Sequence, residues 1–219
     1  MSAKDGLSGI VGAWRRGRFS GLASGVAVLF SGYSLYATSL KQPDIQVFVP
    51  PVIQYASPGG PNSNFEVFAI PVTLTNDGAR TGTVLSMELT VADADNKQVK
   101  RFYGGHFGVW TAERARAFQF KPFAPLSLAG HSSQSDSVLF YPRNDEKVLQ
   151  LVTATGVYHF TLQVTMAEVR HLGIVDRWWW REPVPTQFDM VLPALDHRAF
   201  QTGTLPMHQK EWQTTVGGN

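Results

Sequence analysis

Phe68-Ala69-Ile70-Pro71-Val72-Thr73-Leu74-Thr75-Asn76-Asp77-Gly78, followed by Leu85-Ser86-Met87-Glu88-Leu89-Thr90-Val91, decides the fold class. Phe68, Ile70, Val72 and Leu74 recur at every second position, and Leu85, Met87, Leu89 and Val91 do so again beyond the turn signal. A period of two sends such side chains to one face of an extended chain, which predicts two strands paired across Asn76-Asp77-Gly78. Upstream, Ile45, Val47 and Val49 alternate among Pro43, Pro50 and Pro51 before Pro58-Gly59-Gly60-Pro61. This predicts an edge strand interrupted by proline, then a loop. Downstream, Asp93 to Lys97 is a polar turn before a strand from Gln98 to Tyr103, and strand patterns return at Ser137–Tyr141, Tyr158–Met166 and Phe188–Leu192. About seven short strands with turn signals between them, few helical periods and no repeat predict an antiparallel β-sandwich. Gly104 to Phe123 interrupts the pattern with glycines, an Ala-rich stretch and aromatic residues. A connection of that length usually has structure of its own or a partner.

The 219 residues carry 43% hydrophobic, 12% aromatic and 16% charged side chains, a globular composition for one ordinary domain. The formal charge of +2 is local, because Lys4, Arg15, Arg16 and Arg18 precede Phe19 against only Asp5. The rest is near neutral, so the basic face a nucleic-acid partner requires is absent from the pattern. With no cysteine, disulfides, thiolate metal sites and cysteine nucleophiles are excluded.

From Phe19 to Leu40 the chain runs 22 residues without a charge, bounded by Arg18 and Lys41. A helix of that length spans roughly 33 Å, about one bilayer core. The preceding cations place the N-terminus in the cytoplasm by the positive-inside rule. A cleavable signal peptide shares this layout, but the run is long for one and Ala37-Thr38-Ser39 is a poor cleavage site. The expectation is therefore a bacterial inner-membrane (cytoplasmic or intracytoplasmic) single-pass protein with its domain in the periplasm. Gly21, Gly25 and Gly32 leave one helical stripe without side chains, either a close-packing face for another helix or the ordinary glycine content of membrane helices. The expected organisation is a basic segment over 1–18, a transmembrane helix over 19–40 and a Pro/Gly-rich connection with the first edge strand over 41–64. The remainder of the sandwich covers 65–193, and an irregular tail covers 194–219.

On this pattern residues 45–193 resemble, at the level of architecture, the immunoglobulin-like sandwiches found behind single N-terminal anchors in bacterial envelope proteins. The cysteine pair and core tryptophan of true immunoglobulin domains are missing, so the resemblance implies no site residues. The layout is also similar to a family of oxidase-assembly copper chaperones, whose cysteine motif has no counterpart here.

Chemistry-bearing patterns are sparse, and none predicts a catalytic, cofactor or metal site. His106, His131, His159, His171, His197 and His208 avoid the short spacings of a local metal site. Asp93-Ala94-Asp95-Asn96 begins like a calcium loop, but Lys97 takes a ligand position, so a hairpin turn is expected. Gly104-Gly105-His106-Phe107-Gly108 lacks phosphate-cradle spacing and predicts a loop needing positive φ. Asp145 and Glu146 have no second carboxylate pair to complete a hydrolase dyad. Arg177-Trp178-Trp179-Trp180-Arg181 is the most unusual run. In an extended chain Trp178, Trp179 and Trp180 alternate in direction, so at least one is exposed for a contact, unless one fills the core and two cover loops. These features predict a non-enzymatic accessory or structural subunit of a multi-subunit membrane complex, such as a photosynthetic or respiratory one. Its expected partners are the bilayer and other membrane subunits, with no nucleic acid and no cofactor. The alternative is a periplasmic binding or assembly factor whose 104–125 loop and Trp run receive a transient client.

Overall fold

The alternating stretch of 68–74 forms β3 (Val67–Asn76) and that of 85–91 forms β4 (Gly82–Ala92), yet the two strands do not pair. The computed structural model describes residues 24–57, 65–111, 114, 117, 119–144, 150–168, 182–194 and 204–210. The remaining strands are β1 (Ile45–Phe48), β2 (Val52–Ala56), β5 (Val99–Phe107), β6 (Lys121–Pro122), β7 (Leu126–Leu128), β8 (Ser132–Pro142), β9 (Gly156–Met166), β10 (Thr186–Leu192) and β11 (Leu205–Gln209).

Hydrogen bonding runs β2–β3–β8–β5–β4–β9–β10–β11 and returns from β11 to β2, with every pair antiparallel. The expected immunoglobulin-like sandwich is thereby corrected to a closed eight-stranded barrel with three additional strands. Period-two alternation describes one buried face and is satisfied equally by two stacked sheets or by one sheet closed on itself. Two pairings decide between them. β5 bonds both β8 and β4, and β11 inserts between β10 and β2. β11 lies inside the stretch expected to be an irregular tail, and its Leu205 and Met207 are buried.

Asn76 explains why β3 and β4 part. Its side-chain oxygen accepts from the N–H of Asp44 (3.1 Å) and Gly78 (3.0 Å). Its amide donates to the carbonyls of Arg80, Leu128 and Ala129. The Asn-Asp-Gly signal is thus a corner tied to β7, and the chain crosses to the far side of the barrel instead of folding back. By contrast β4 and β5 form a true hairpin, whose turn has Asp93 accepting from the N–H of Lys97 and Gln98 and Asn96 at φ 53°. Asp93 is occupied as a turn former.

β1 and β2 lie along the same side of β3, at Phe48↔Thr73 and Gln54↔Ala69. The chain takes two more residues than β3 over that interval, and Pro50 and Pro51 lie within the excess, where no ladder N–H is needed.

Inward residues of the ring build the core. Phe68 meets Tyr55, Phe102 and Phe160 at ring separations of 5.1, 5.0 and 5.3 Å, with the latter two edge-on. Shortening Phe68 to alanine should cost about 3–5 kcal/mol, because three rings would lose their common neighbour. Urea unfolding measures it.

Residues up to Gln42 form a separate unit whose described part is a helix over 24–40, closing in a π-turn at Tyr36–Leu40. Among the described residues no helix is long and apolar enough to cross a membrane. The transmembrane expectation for 19–40 is corrected accordingly, and the single-pass inner-membrane location and topology built on it lose their support. Freedom from charge is not the same as being apolar. Ser24, Gly25, Ser31, Gly32, Ser34, Thr38 and Ser39 dilute the described helix with small polar residues.

Candidate functional site

Two clusters stand out, one inside the barrel and one outside. Inside, Glu66 and Lys100 are both fully buried and their charged groups meet at 2.6 Å. Glu66 also accepts from the Tyr55 hydroxyl at 2.7 Å and from the backbone N–H of Leu151 and Val152 at 3.0–3.1 Å. Lys100 Nζ lies 5.7 Å from the centre of the Phe102 ring. Burial, then the neighbouring Glu66 charge, holds the Tyr55 phenol far above its ordinary range. Such a perturbed acid–base group can mark a catalytic centre. Here a substrate has no route to it, since Glu66, Lys100 and Tyr55 have no solvent exposure. The cluster fastens the 150–152 segment to the barrel.

The outer cluster follows from the same alternation. Where Phe102 and Phe140 point in, their neighbours Tyr103 and Tyr141 point out and stand opposite each other between β5 and β8. On the next strand Glu88 stands opposite Tyr103. The two ends of the 108–123 connection are tied to this face, with Gly108 N–H donating to Ser137 O and Phe123 N–H to Gly105 O. It delivers Trp110 and Phe120, which stack at 5.6 Å over a small second core of Ala56, Val67, Ala69 and Leu139. Neighbouring rings then form a closed circuit from Tyr141 to Phe65, Trp110, Phe120, His106 and back to Tyr141, each step between 5.4 and 6.2 Å. Tyr103 joins the circuit through Tyr141 at 6.2 Å. Phe65 remains 43% exposed and Tyr103 47%. Phe65, just before β3, and Tyr103, on β5, therefore each keep part of a large ring exposed.

The glycine run expected as a loop is the end of β5, and its glycines serve mainly to make space. A Cβ at Gly105 would lie 2.9 Å from Tyr141 and 3.2 Å from Tyr103, so both rings close over the space that a side chain here would take. The register shifts between Gly104 and His106, which places His106 on the outer face. Only Gly108, at φ 141°, needs the conformational freedom.

Burial, with Tyr103 beside it, pushes the Tyr141 phenol up to about 12, and burial also raises Tyr158. The folded state therefore holds these protons more tightly than the unfolded chain, whose tyrosines ionise near 10. That contribution to stability is complete below pH ~10 and is lost as pH rises toward the folded values. The melting temperature should fall through this window, alongside late tyrosinate absorbance. A flat or rising profile would contradict the placement of these rings.

A shallow hollow of about 530 Å³ adjoins Tyr103, lined among the described residues by Glu88, Tyr103, Arg143 and Asn144. Arg143 and Glu88 face each other there at 3.5 Å, both partly exposed. A second hollow, of about 420 Å³, lies by Gln187, Phe188, Asp189, Gln209 and Lys210. Asp189 pairs across β9 and β10 with His159 at 2.7 Å. Among the described residues no group of three or more His, Cys, Asp or Glu could hold a metal ion.

Of the contact residues expected from sequence, Gly25 and Gly32 lie on the helix, where an added Cβ would meet nothing within 4 Å. Gly21, Trp178, Trp179 and Trp180 lie outside the described residues. Phe65, Tyr103 and Tyr141 are not among the expected contacts, and His106, Trp110 and Phe120 were covered only by the alternative reading of a client site on the 104–125 loop. Their signal is present in part: Tyr103 and Tyr141 are aromatic residues at the outward positions of amphipathic strands.

No protein-family model matches the chain, and no curated protein matches it. Among solved structures it is similar to a crystal structure of a Bordetella pertussis protein designated ApaA, at 15% identity over 78% of this chain and 97% of that one, with a TM-score of 0.33. A likeness at that score carries no argument about function.

Proposed function

We propose that this protein is a non-enzymatic interaction module whose barrel holds a protein partner against its aromatic outer face. The carrying observation is the closed circuit of rings around Tyr141, with Phe65 and Tyr103 each nearly half exposed. Tyr, Trp and Arg are the side chains that most often supply binding energy at protein contacts, and strands β5 and β8 hold Tyr103 and Tyr141 opposite each other at little ordering cost. Trp110 and Phe120 are the supporting layer; Phe65, Tyr103 and the exposed Val109 are the contact layer. The matching partner surface is apolar and largely uncharged, as in a subunit of a lasting assembly. A transient client is the second reading, favoured by the 108–123 connection forming part of the face.

Co-purification from native cells tests this. Phe65→Ser and Tyr103→Ser should each remove the same partner while leaving the melting temperature of the protein nearly unchanged, since both side chains are already partly in water. A stoichiometric partner indicates a subunit and a substoichiometric one a client. If the same proteins accompany the variants as the unchanged chain, this face is not the contact. If the unchanged chain pairs only with itself and both variants are monomeric, the occupant is a second copy.

A further inference from the structure

We infer that the hollow bounded by Glu88, Tyr103, Arg143 and Asn144 is a binding site for a neutral saccharide, beyond the protein contact proposed for the ring circuit. The inference starts from the mixture of groups the barrel places together. Tyr103 supplies a ring that is 47% exposed, and Glu88 stands directly opposite it on the neighbouring strand. Arg143 is held at the end of β8 by its N–H donating to Arg101 O at 3.1 Å. A pyranose has matching surfaces, a flat patch of C–H groups and a rim of hydroxyls that both donate and accept. The C–H patch covers an aromatic ring; the hydroxyls find an acceptor in Glu88, a donor in Arg143 and both in Asn144.

Charge selects against the alternatives. Glu88 and Arg143 already face each other at 3.5 Å, so among the described residues the hollow presents one carboxylate and one guanidinium that offset each other. An anionic ligand would meet Glu88 and a cationic one Arg143, each leaving a like charge close by, whereas a neutral polyol bridges the two without separating them. The volume of about 530 Å³ lies in the range of small-ligand sites, and its shallowness suits one end of an oligosaccharide more than an enclosed small molecule. The hollow is also prepared in advance. Gly105 lets Tyr103 and Tyr141 close over the backbone, and Tyr141 backs Tyr103 at 6.2 Å, which limits where the platform ring can move.

The test is a titration of the full chain, followed by nuclear magnetic resonance, with maltotriose, cellotriose and chitotriose, and with glucuronate and glucosamine as charged comparisons. At least one neutral trisaccharide should give saturable shifts at Tyr103 and Asn144. Arg143→Ala and Glu88→Gln, both at partly exposed side chains, should each weaken it by about tenfold, while Phe65→Ser leaves it unchanged. Absence of saturable shifts with all three trisaccharides would overturn the assignment. So would tighter binding of either charged sugar, or binding indifferent to both substitutions.

Discussion

Lys100→Met should lower the unfolding free energy by about 3–5 kcal/mol, a large share of the roughly 5–15 kcal/mol that holds a domain folded. Methionine is close to lysine in length and can fill the same space, so little of this loss comes from a cavity. It comes from Glu66, which would keep the Tyr55 hydroxyl and the two backbone N–H groups of the 150–152 segment but lose the cation 2.6 Å away. Glu66→Gln reverses the problem and leaves the Lys100 ammonium in the core without its carboxylate. The double variant, Glu66→Gln with Lys100→Met, removes both charges while the new side-chain amide oxygen can still accept from the N–H groups. It should therefore be less destabilised than the sum of the two single variants, and urea unfolding of all four proteins reads that coupling. Additive losses would mean that the pair does not act as a unit.

Gly130→Ala should be comparably damaging, at about 3 kcal/mol or more, for a steric reason. A Cβ at this position would fall 2.0 Å from the carbonyl oxygen of Ala79 and 2.4 Å from its carbon. Both obstacles are backbone, so no rotamer change can relieve the clash. The two segments cannot easily separate either, because Asn76 ties the first to the carbonyls of Leu128 and Ala129 and His131 N–H donates to Gly78 O. Gly105→Ala meets only the flexible edges of Tyr141 and Tyr103 and should cost less, while tilting the exposed ring. Thermal melts of the two variants should rank in that order.

The strands were legible wherever one face is buried and the other wet. Phe68 to Leu74, Met87 to Val91 and Tyr158 to Met166 alternate in sequence as they do in the barrel, whereas Leu85, expected on the same face as Met87, is exposed because an irregularity between Val84 and Ser86 turns Val84 inward instead. Which strands pair was not legible. Asn76-Asp77-Gly78 carries the composition of a hairpin turn, and its use as a corner depends on partners about 50 residues away, Leu128 and Ala129, that no local pattern announces. Closure was hidden for a related reason. β11 is five residues long, contains a proline, and becomes a strand because β2 and β10 each offer it an edge. The N-terminal run misled through its lack of charge, since its serines, threonine and glycines carry no charge yet add almost nothing to a hydropathy sum and dilute its leucines and valines.

The candidate site was half legible. The 104–125 region stood out as too long for a simple connection; its first residues complete β5 and carry His106, and its described residues Trp110 and Phe120 pack over the outer face of the sheet. Phe65 gave no signal, because it precedes β3 and its place beside Trp110 and Tyr141 exists only once the barrel has closed. The buried pair was equally silent. Lys100 sits in a strand whose neighbours Val99 and Arg101 are exposed, and nothing local distinguishes an inward lysine from a solvated one.

Hydroxyl-radical footprinting, comparing the purified protein with the protein in its native cell, tests the aromatic contact face most directly. Phe65, Tyr103 and Val109 should be oxidised readily in the isolated chain and protected in the cell, while Phe48 and Val184, exposed outside the ring circuit, react equally in both. Equal oxidation of Phe65 and Tyr103 in the two settings would show that nothing covers the face and would contradict its role as the contact surface.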